Sequence, residues 1–308
     1  MKIEGDVFGK KIVFETGELA PQADASVVVS IGDTKVLTTV VSKPSSEELD
    51  FFPLKIEYEE RYYAGGLISG SRFTRREGRP TDQAVVEGRL IDHAIRPLFP
   101  KDFMYDTQIV ITVLSIDGEN SPLLAGFLGV SAALSLSGLP FDGPIVPLRI
   151  QKINGEIKAD LSESDEEADM DMIVSYLNEG SKIQAIEAHA HIVPEKEVYE
   201  SLKIGTEKSK DLFKLLNQLA KESGVSVKEY NRSWLNKDFI KEFTPKVLPE
   251  VQKWYEDGLY YASPEWAEKQ SELINKLAKE HEDTYSAKQI YAVCSEIQKN
   301  WVRDLVVN

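Results

Sequence analysis

The sequence contains a single cysteine and no long apolar run, and each absence excludes a class of protein. Cys294 alone cannot form an intramolecular disulfide, so a disulfide-stapled secreted domain is excluded and a reducing compartment is expected. No stretch of about 18 consecutive apolar residues appears, which argues against a membrane span. The first residues, Met1 to Asp6, lack the apolar segment of a signal peptide. We therefore predict a cytoplasmic protein without membrane contact.

Motifs of several common enzyme chemistries are absent as well. The sequence has no G-x-x-x-x-G-K-[ST] phosphate loop, no nucleophile elbow, no H-E-x-x-H zinc motif and no G-x-G-x-x-G after a strand. The residues by themselves exclude these sites but do not identify a reaction.

The charge is strongly acidic but unevenly distributed. The chain has 308 residues, enough for two domains, and a net charge of −15, which is unusual for a partner of nucleic acid. Residues 61–103 are the exception, with eight basic side chains against five acids. The basic ones are Arg61, Arg72, Arg75, Arg76, Arg79, Arg89, Arg96 and Lys101. The sequence thus predicts an acidic body with one local cationic site.

Periodicity predicts an α+β sheet domain followed by a helical unit. β-rich runs separated by turn signals, such as Gly32-Asp33, dominate as far as Pro194. Within this part, Thr81 is predicted to cap a helix, and the apolar stretch from Leu123 to Leu136 predicts a buried one. From Thr206 onward helical spacing replaces the β-rich runs. Regular strand–helix alternation is missing, which argues against a doubly wound sheet.

The glycine-rich basic loop from Gly65 to Pro80 carries the strongest functional signal. Phe73 offers a stacking face for a base, while Arg75 and Arg76 offer planar forks for phosphates. This combination suits single-stranded nucleic acid, which is bound by stacking and phosphate contacts without sequence readout. The alternative is a surface loop whose arginines pair with acids and whose Phe73 lies in the core.

The predicted helix after the loop adds two arginines. Arg89 and Arg96 lie seven residues apart, which places them on one helix face. Asp92 stands between them at a spacing that allows local pairing with either one. Part of this positive charge is therefore expected to be neutralised.

An acidic segment at residues 163–171 is a candidate metal site. Asp169 and Asp171 border a predicted strand, and grouped carboxylates can hold Mg²⁺ together with water and phosphate oxygens. A solvated loop is the ordinary alternative for such a charge run. The residues leave both interpretations open.

Several segments, in the same order and spacing, resemble the first core domain of bacterial polynucleotide phosphorylases over residues 1–210. The segments are Glu15–Ala20, Asp50–Leu54, Arg75–Pro80, Arg89–Asp92, Ile95–Pro100 and Ser131–Gly138. The resemblance implies a ribonuclease PH-like α+β core of the ribosomal protein S5 domain 2-like type, followed by a small all-helical domain. The implied boundaries are 1–144 and 145–210 for two subdomains of the core, 211–234 for a linker helix and loop, and 235–308 for the all-α domain.

The resemblance also implies an activity and partners. The activity is 3′-to-5′ phosphorolytic degradation of RNA in mRNA turnover, with inorganic phosphate as co-substrate, Mg²⁺ as cofactor and nucleoside diphosphates as products. A homotrimeric ring threaded by single-stranded RNA is implied, together with RNA degradosome partners. The pore loop of the family matches Phe73, Arg75 and Arg76 here, although Thr74 stands where an aromatic residue is common. The full set of RNA-binding candidates is Arg72, Phe73, Arg75, Arg76, Arg79, Arg89 and Arg96.

Catalysis in that family resides in a second core, so this chain is expected to supply the RNA-guiding, ring-forming core of a longer enzyme. The turn at residues 115–121 matches a serine-rich phosphate cup, but Glu119 and Asn120 stand where serines are expected, and a carboxylate repels phosphate. Asp169 matches a catalytic carboxylate and, with Asp171, a metal-binding pair. The alternative function is that of a catalytically inactive RNA-binding ring subunit in an exosome-like assembly.

Overall fold

The computed structural model describes residues 1–45, 51–67, 78–163, 167–230, 237–259 and 263–307. Contacts divide the chain into two units. The first unit comprises residues 1–44, 53–100 and 105–229, and the second comprises residues 45–52, 101–104 and 230–308.

A six-stranded sheet forms one part of the first unit. Its strands are β1 (Lys2–Val7), β2 (Lys10–Thr16), β3 (Ala25–Ile31), β4 (Thr34–Lys43), β5 (Leu54–Glu59) and β6 (Asp106–Ser115). They lie in the order β1-β2-β3-β4-β6-β5, antiparallel except for the parallel pair β5 and β6. The turn predicted at Gly32-Asp33 is confirmed, since it joins β3 to β4.

A four-stranded antiparallel sheet forms a second part of the same unit. Its strands are β7 (Val146–Ile153), β8 (Glu156–Asp160), β9 (Met170–Leu177) and β10 (Lys182–Ala190). Their order is β10-β9-β7-β8, and two hairpins join β7 to β8 and β9 to β10. The first hairpin turns at Asn154 and Gly155, both with positive φ, which is the backbone conformation that a tight two-residue turn requires.

A buried helix, α2 (Pro122–Ser137), contacts both sheets through β3, β4, β6 and β7. It begins at Ser121, whose Oγ accepts the N–H of Leu124 at 3.5 Å, and ends at Gly138, whose φ is 74°. The buried helix predicted for this stretch is confirmed. Gly129 allows a close approach to the first sheet, because a Cβ there would lie 2.4 Å from Oγ1 of Thr38.

Helix α1 (Asp82–Ile95) packs against β5 of the first sheet. The predicted cap is confirmed, because Oγ1 of Thr81 accepts the N–H of Ala84 at 3.0 Å. A short 3₁₀ helix at Arg96–Leu98 follows α1 directly. The cap at Thr81 and the 3₁₀ helix at the other end together fix which face of α1 borders the candidate site.

Helix α3 (Glu195–Ser223) packs against β7, β8 and β9 and begins well before Thr206, where helical spacing becomes visible in the sequence. Its first half buries the small residues Ser201, Gly205 and Ser209, which a pattern of large apolar residues does not reveal. A Cβ at Gly205 would lie 2.0 Å from the hydroxyl of Tyr176, so only glycine fits there. The helix runs unbroken across residues 210 and 211, between which the resemblance implies the boundary of core and linker helix.

The second unit contains three helices, α4 (Lys237–Glu256), α5 (Pro264–Glu280) and α6 (Ala287–Val307). Their apolar faces form one core, in which the rings of Trp254 and Trp266 meet edge to face at 5.4 Å. Oγ of Ser263 accepts the N–H of Trp266 at 3.2 Å and so caps the start of α5. In the part of the chain that the structure describes, no helix combines the length and apolar character needed to cross a membrane.

Replacing Gly129 with Ala tests the close packing of α2. The helix would gain about 1 kcal/mol of intrinsic propensity, but the clash with Thr38 should outweigh it, since overpacking costs about 1–3 kcal/mol. Gly88→Ala in α1 is the matched control, because its nearest neighbour would lie at an ordinary 3.4 Å. In urea unfolding, Gly129→Ala should lower the midpoint while Gly88→Ala keeps or raises it. Equal midpoints for the two variants would contradict the packing argument.

Candidate nucleic-acid interface

The two ends of the predicted RNA-binding loop meet at one surface groove. Arg72, Phe73, Arg75 and Arg76 lie outside the described residues. On one side of them, the chain forms a short 3₁₀ helix at Tyr62–Gly65 and continues to Leu67. On the other side, Gly78, Arg79 and Pro80 lead into α1. Residues from both ends line the same groove.

The groove has a volume of about 1020 Å³ and lies between strand β5 and helix α1. Strand β5 contributes all its residues, and α1 contributes the face that carries Ala84, Gly88 and Arg89. Helix and strand lie in ordinary packing contact here, since a Cβ at Gly88 would lie 3.4 Å from the carbonyl oxygen of Ile56. The groove is therefore built by the first unit alone.

Most of the charged side chains in and beside the groove are paired. Lys55 contacts Glu57 at 2.6 Å, and Arg61 contacts Glu59. Arg96 binds Asp92 through two of its nitrogens, at 3.1 and 2.8 Å. Nη2 of Arg96 also donates to the carbonyl oxygen of Leu54 at 3.1 Å, so this predicted RNA-binding residue has a structural role. Each pair cancels one positive charge near the groove.

Arg79 and Arg89 are the two lining arginines that remain. Both are exposed, and neither forms an ion pair with any described residue. Asp92, which stands at pairing distance from Arg89 in the sequence, binds Arg96 instead. The nearby carboxylate of Glu60 accepts a hydrogen bond from Oγ1 of Thr81 at 3.0 Å. The guanidinium groups of Arg79 and Arg89 thus remain available for an anionic ligand.

One wall of the groove is acidic around Tyr58. Burial raises the pKa of the Tyr58 hydroxyl, and the negative charge of Glu87 raises it further. Burial also raises the pKa of Glu87; a hydrogen bond from Gln83 opposes this rise, and the carboxylates of Glu60 and Glu163 add to it. Glu60 and Asp92 line the groove as well, so its lining carries carboxylates beside the two unpaired arginines.

The turn between β6 and α2 is filled by a carboxylate of the chain itself. Asp117 accepts the backbone N–H groups of Asp33 and Thr34 at 3.1 and 3.2 Å, and those of Glu119 and Asn120 at 2.9 Å each. The Thr34 hydroxyl and the Asn120 amide donate to it at 2.9 and 2.6 Å. Burial acts to raise the pKa of Asp117, but these hydrogen bonds outweigh it and hold the pKa well below its usual range.

A carboxylate that opposes phosphate binding is therefore present at this turn, but it belongs to a different residue from the one that the sequence indicates. The sequence suggested the carboxylate of Glu119, whereas the structure places that of Asp117 among the N–H donors and leaves Glu119 exposed. Successive N–H groups that converge in this way form an anion-binding concavity. Here the anion is a side chain, so the described geometry does not suit inorganic phosphate.

Asp171, a predicted metal ligand, is held by an arginine. Nε and Nη2 of Arg149 donate to its two oxygens at 3.0 and 2.6 Å, and Nε2 of Gln151 adds a bond of 3.2 Å. Arg149 also contacts Glu163 at 2.8 Å. The pairing with Asp171, with Glu163 adding to it, raises the pKa of Arg149, so the guanidinium stays charged. Asp171 is thus neutralised within the fold.

Asp169, the other acidic candidate, is exposed at the start of β9. Its backbone is fixed, because its N–H donates to Lys152 and its carbonyl accepts from His191, at 2.9 and 2.8 Å. Among the residues that the structure describes, no group of three or more His, Cys, Asp or Glu side chains is arranged to hold a metal ion. Of the two acidic candidates, Asp169 alone thus presents a carboxylate that Arg149 does not bind.

Two residues, Arg149 and Tyr62, are not predicted from the sequence. Arg149 is a basic residue in an apolar strand, which is a weak signal, and its partner Asp171 lies 22 positions away. Tyr62 stands directly before the glycine-rich loop, and the structure places it on the groove wall. The surroundings of Arg149 and Tyr62 depend on residues far away in sequence, and no local sequence pattern gives that information.

The described groove and turn lie within a segment that known proteins share. Residues 9–140 match the family described as the 3′ exoribonuclease family, domain 1. These residues form a domain of that family. The segment contains both flanks of the loop, α1 and the turn that holds Asp117.

Curated relatives extend the similarity over most of the chain. The polyribonucleotide nucleotidyltransferase of Syntrophotalea carbinolica is 37% identical over 99% of this chain and 43% of its own length. The enzyme of the same name from Natranaerobius thermophilus is 39% identical over 82% of this chain and 35% of its own length. The chain thus spans less than half the length of these relatives.

A solved structure agrees on the fold. The crystal structure of rice (Oryza sativa) Rrp46 superposes with a TM-score of 0.51 and covers 68% of this chain and 93% of its own. The two sequences are 16% identical, so the likeness concerns the fold alone. The predicted α+β fold of the ribonuclease PH type is confirmed.

Replacing Asp117 with Asn tests the filled turn. The variant exchanges a carboxylate oxygen for an N–H₂ group that faces N–H donors, which should cost about 2–4 kcal/mol of unfolding free energy at pH 7. A lowered pKa contributes stability above the unfolded pKa of about 3.9, and this contribution is lost as the pH falls through the folded pKa. The difference between the two proteins should therefore shrink in acid.

The matched control is Asp33→Asn, because Asp33 is an exposed carboxylate in the adjacent turn. Urea unfolding at several pH values would measure both variants. An Asp117→Asn protein as stable as Asp33→Asn at pH 7 would show that the carboxylate does not hold the turn.

Proposed function

We propose that the protein degrades RNA from its 3′ end by phosphorolysis in mRNA turnover, releasing nucleoside diphosphates. In this proposal the chain supplies the RNA-guiding and ring-forming core. Its similarity to polyribonucleotide nucleotidyltransferases supports the reaction class. The single structural observation that carries the role of this chain is the pair of unpaired arginines, Arg79 and Arg89, in the groove at the flanks of the loop.

The groove suits a single strand of RNA for electrostatic reasons. The guanidinium groups of Arg79 and Arg89 can each bind a phosphate in a bidentate way without first breaking an ion pair. Arg72, Phe73, Arg75 and Arg76 lie outside the described residues, and their role in RNA binding is part of the proposal on sequence grounds alone. Arg96 has a structural contact and is not part of the proposed grip.

The chemical step is assigned to residues outside the described part of this chain. The turn at Asp117 is filled by a carboxylate, and Asp171 is bound to Arg149, so neither inorganic phosphate nor Mg²⁺ has a fitting site here. Asp169 alone provides one exposed carboxylate. The proposal also includes a second core that binds inorganic phosphate and Mg²⁺, a homotrimeric ring, RNA degradosome partners and a cytoplasmic location.

A second candidate is an inactive RNA-binding ring subunit of an exosome-like assembly. The filled turn and the bound Asp171 favour it, because both remove groups that phosphorolysis would need. The two candidates agree on the groove and differ on whether the protein that contains this chain turns over RNA.

Removing both groove arginines should weaken RNA binding in a salt-dependent way. For Arg79→Ala/Arg89→Ala, we expect weaker binding of oligo(A) and oligo(U) alike. The slope of log affinity against log salt should fall by about 1.4, since each lost phosphate contact of a single strand removes about 0.7. Fluorescence anisotropy across a salt series measures both quantities.

The matched control for this variant removes two exposed cations from α6, Lys299→Ala/Arg303→Ala. It alters the net charge equally but leaves the groove intact. If both double variants lose the same affinity and slope, binding reflects net charge and the groove assignment is wrong.

A phosphorolysis assay separates the two candidate functions. The 308-residue chain, given poly(A), phosphate and Mg²⁺, should bind RNA but release no ADP. The native protein, purified from its source through a tag in this chain, should release ADP if it is the phosphorolytic enzyme and none if it is the inactive subunit. Release of ADP by the isolated chain would refute the placement of the chemistry elsewhere.

A further inference from the structure

An exposed tyrosine lines the groove beside the unpaired arginines. Tyr62 retains 47% of its accessible surface and belongs to the groove wall, whereas its neighbour Tyr63, 56% exposed, does not line the groove. The two adjacent tyrosines thus have similar exposure, but only Tyr62 lines the groove together with Arg79 and Arg89.

Backbone contacts hold Tyr62 in place. Its carbonyl oxygen accepts the N–H of Leu67 at 3.0 Å, which closes the turn after the 3₁₀ helix. Ala64 is buried, and its carbonyl accepts the N–H of Ile116 at 3.1 Å, which ties the helix to the end of β6. These bonds involve the backbone only, so the side chain of Tyr62 can be changed without removing them.

The groove around Tyr62 combines apolar surface with two unpaired guanidinium groups, those of Arg79 and Arg89. Leu67, Val85 and Ile116 line it and are 63%, 48% and 40% exposed. An apolar groove alone would suit a hydrophobic segment of another protein. The unpaired guanidinium groups of Arg79 and Arg89 require an anionic ligand as well. A nucleotide chain provides both features, since its bases have apolar faces and its linkages are phosphates.

We propose that Tyr62 is a base-stacking residue that binds single-stranded RNA together with Arg79 and Arg89. This inference rests on the proposed RNA-binding function of the groove. The phenol ring stacks on one base, the two arginines hold neighbouring phosphates, and Leu67, Val85 and Ile116 provide apolar contact. Stacking accepts every base, so the site binds RNA without sequence preference.

Replacing Tyr62 with Ala should weaken the binding of a short labelled oligo(A) to the 308-residue chain by about 5- to 10-fold, which is the lower range for one base–aromatic stack. Tyr62→Phe keeps the ring and should bind as the unchanged protein does. Binding of an abasic oligonucleotide of the same length should be equal in all three, because it offers phosphates but no base. Fluorescence anisotropy at fixed salt measures each affinity.

Tyr63→Ala is the matched control, since it removes the same side chain from the adjacent position and should leave oligo(A) binding unchanged. The inference is overturned if Tyr62→Ala binds oligo(A) normally, if Tyr63→Ala loses as much, or if Tyr62→Ala also loses affinity for the abasic strand. The test is distinct from that of the proposed function. Normal binding by Tyr62→Ala together with weak binding by Arg79→Ala/Arg89→Ala would reject only the stacking role.

Discussion

The close packing of helix α2 against the first sheet is the constraint on which the described site depends. The helix has almost no polar surface and is buried along nearly its whole length, so it must lie within the unit. Gly126 and Gly129 set its distance from β6 and β4, because a Cβ at either position would overlap a side chain of the sheet. The turn that connects β6 to α2 is thereby fixed at both ends, and Asp117 lies in that turn.

Two carboxylates of the first unit are bound by groups within the fold, whereas two of its arginines stay accessible to a ligand. Asp117 is surrounded by N–H donors and Asp171 is bound by Arg149, so two carboxylates that could repel RNA or bind a metal are neutralised in the fold. Arg79 and Arg89 have no such partner among the described residues. A chain with a net charge of −15 can therefore still present a local site for phosphate, because binding depends on the unpaired groups near the ligand and not on the total charge.

Residues near one another in sequence predict the caps, turns and helices, whereas contacts between residues far apart in sequence determine the candidate site. The cap at Thr81, the turn at Gly32-Asp33 and the buried helix α2 each depend on residues near in sequence, and all three are confirmed. The first part of α3 shows no helical spacing in the sequence, because its buried face there consists of serine and glycine, which carry little hydropathy signal. The choice of Asp117 over Glu119 depends on the N–H groups of Asp33 and Thr34, which approach from another hairpin.

If the proposed function holds, the composition of the groove also constrains how RNA is bound. A degrading enzyme that moves along a strand has to release each nucleotide as readily as it binds it, so its grip must be moderate and independent of sequence. In the proposed interface, two exposed guanidinium groups would provide phosphate contacts that salt screens readily, and one tyrosine ring would provide a stack that every base can make. This arrangement suits a guide along which RNA slides better than a site that retains it.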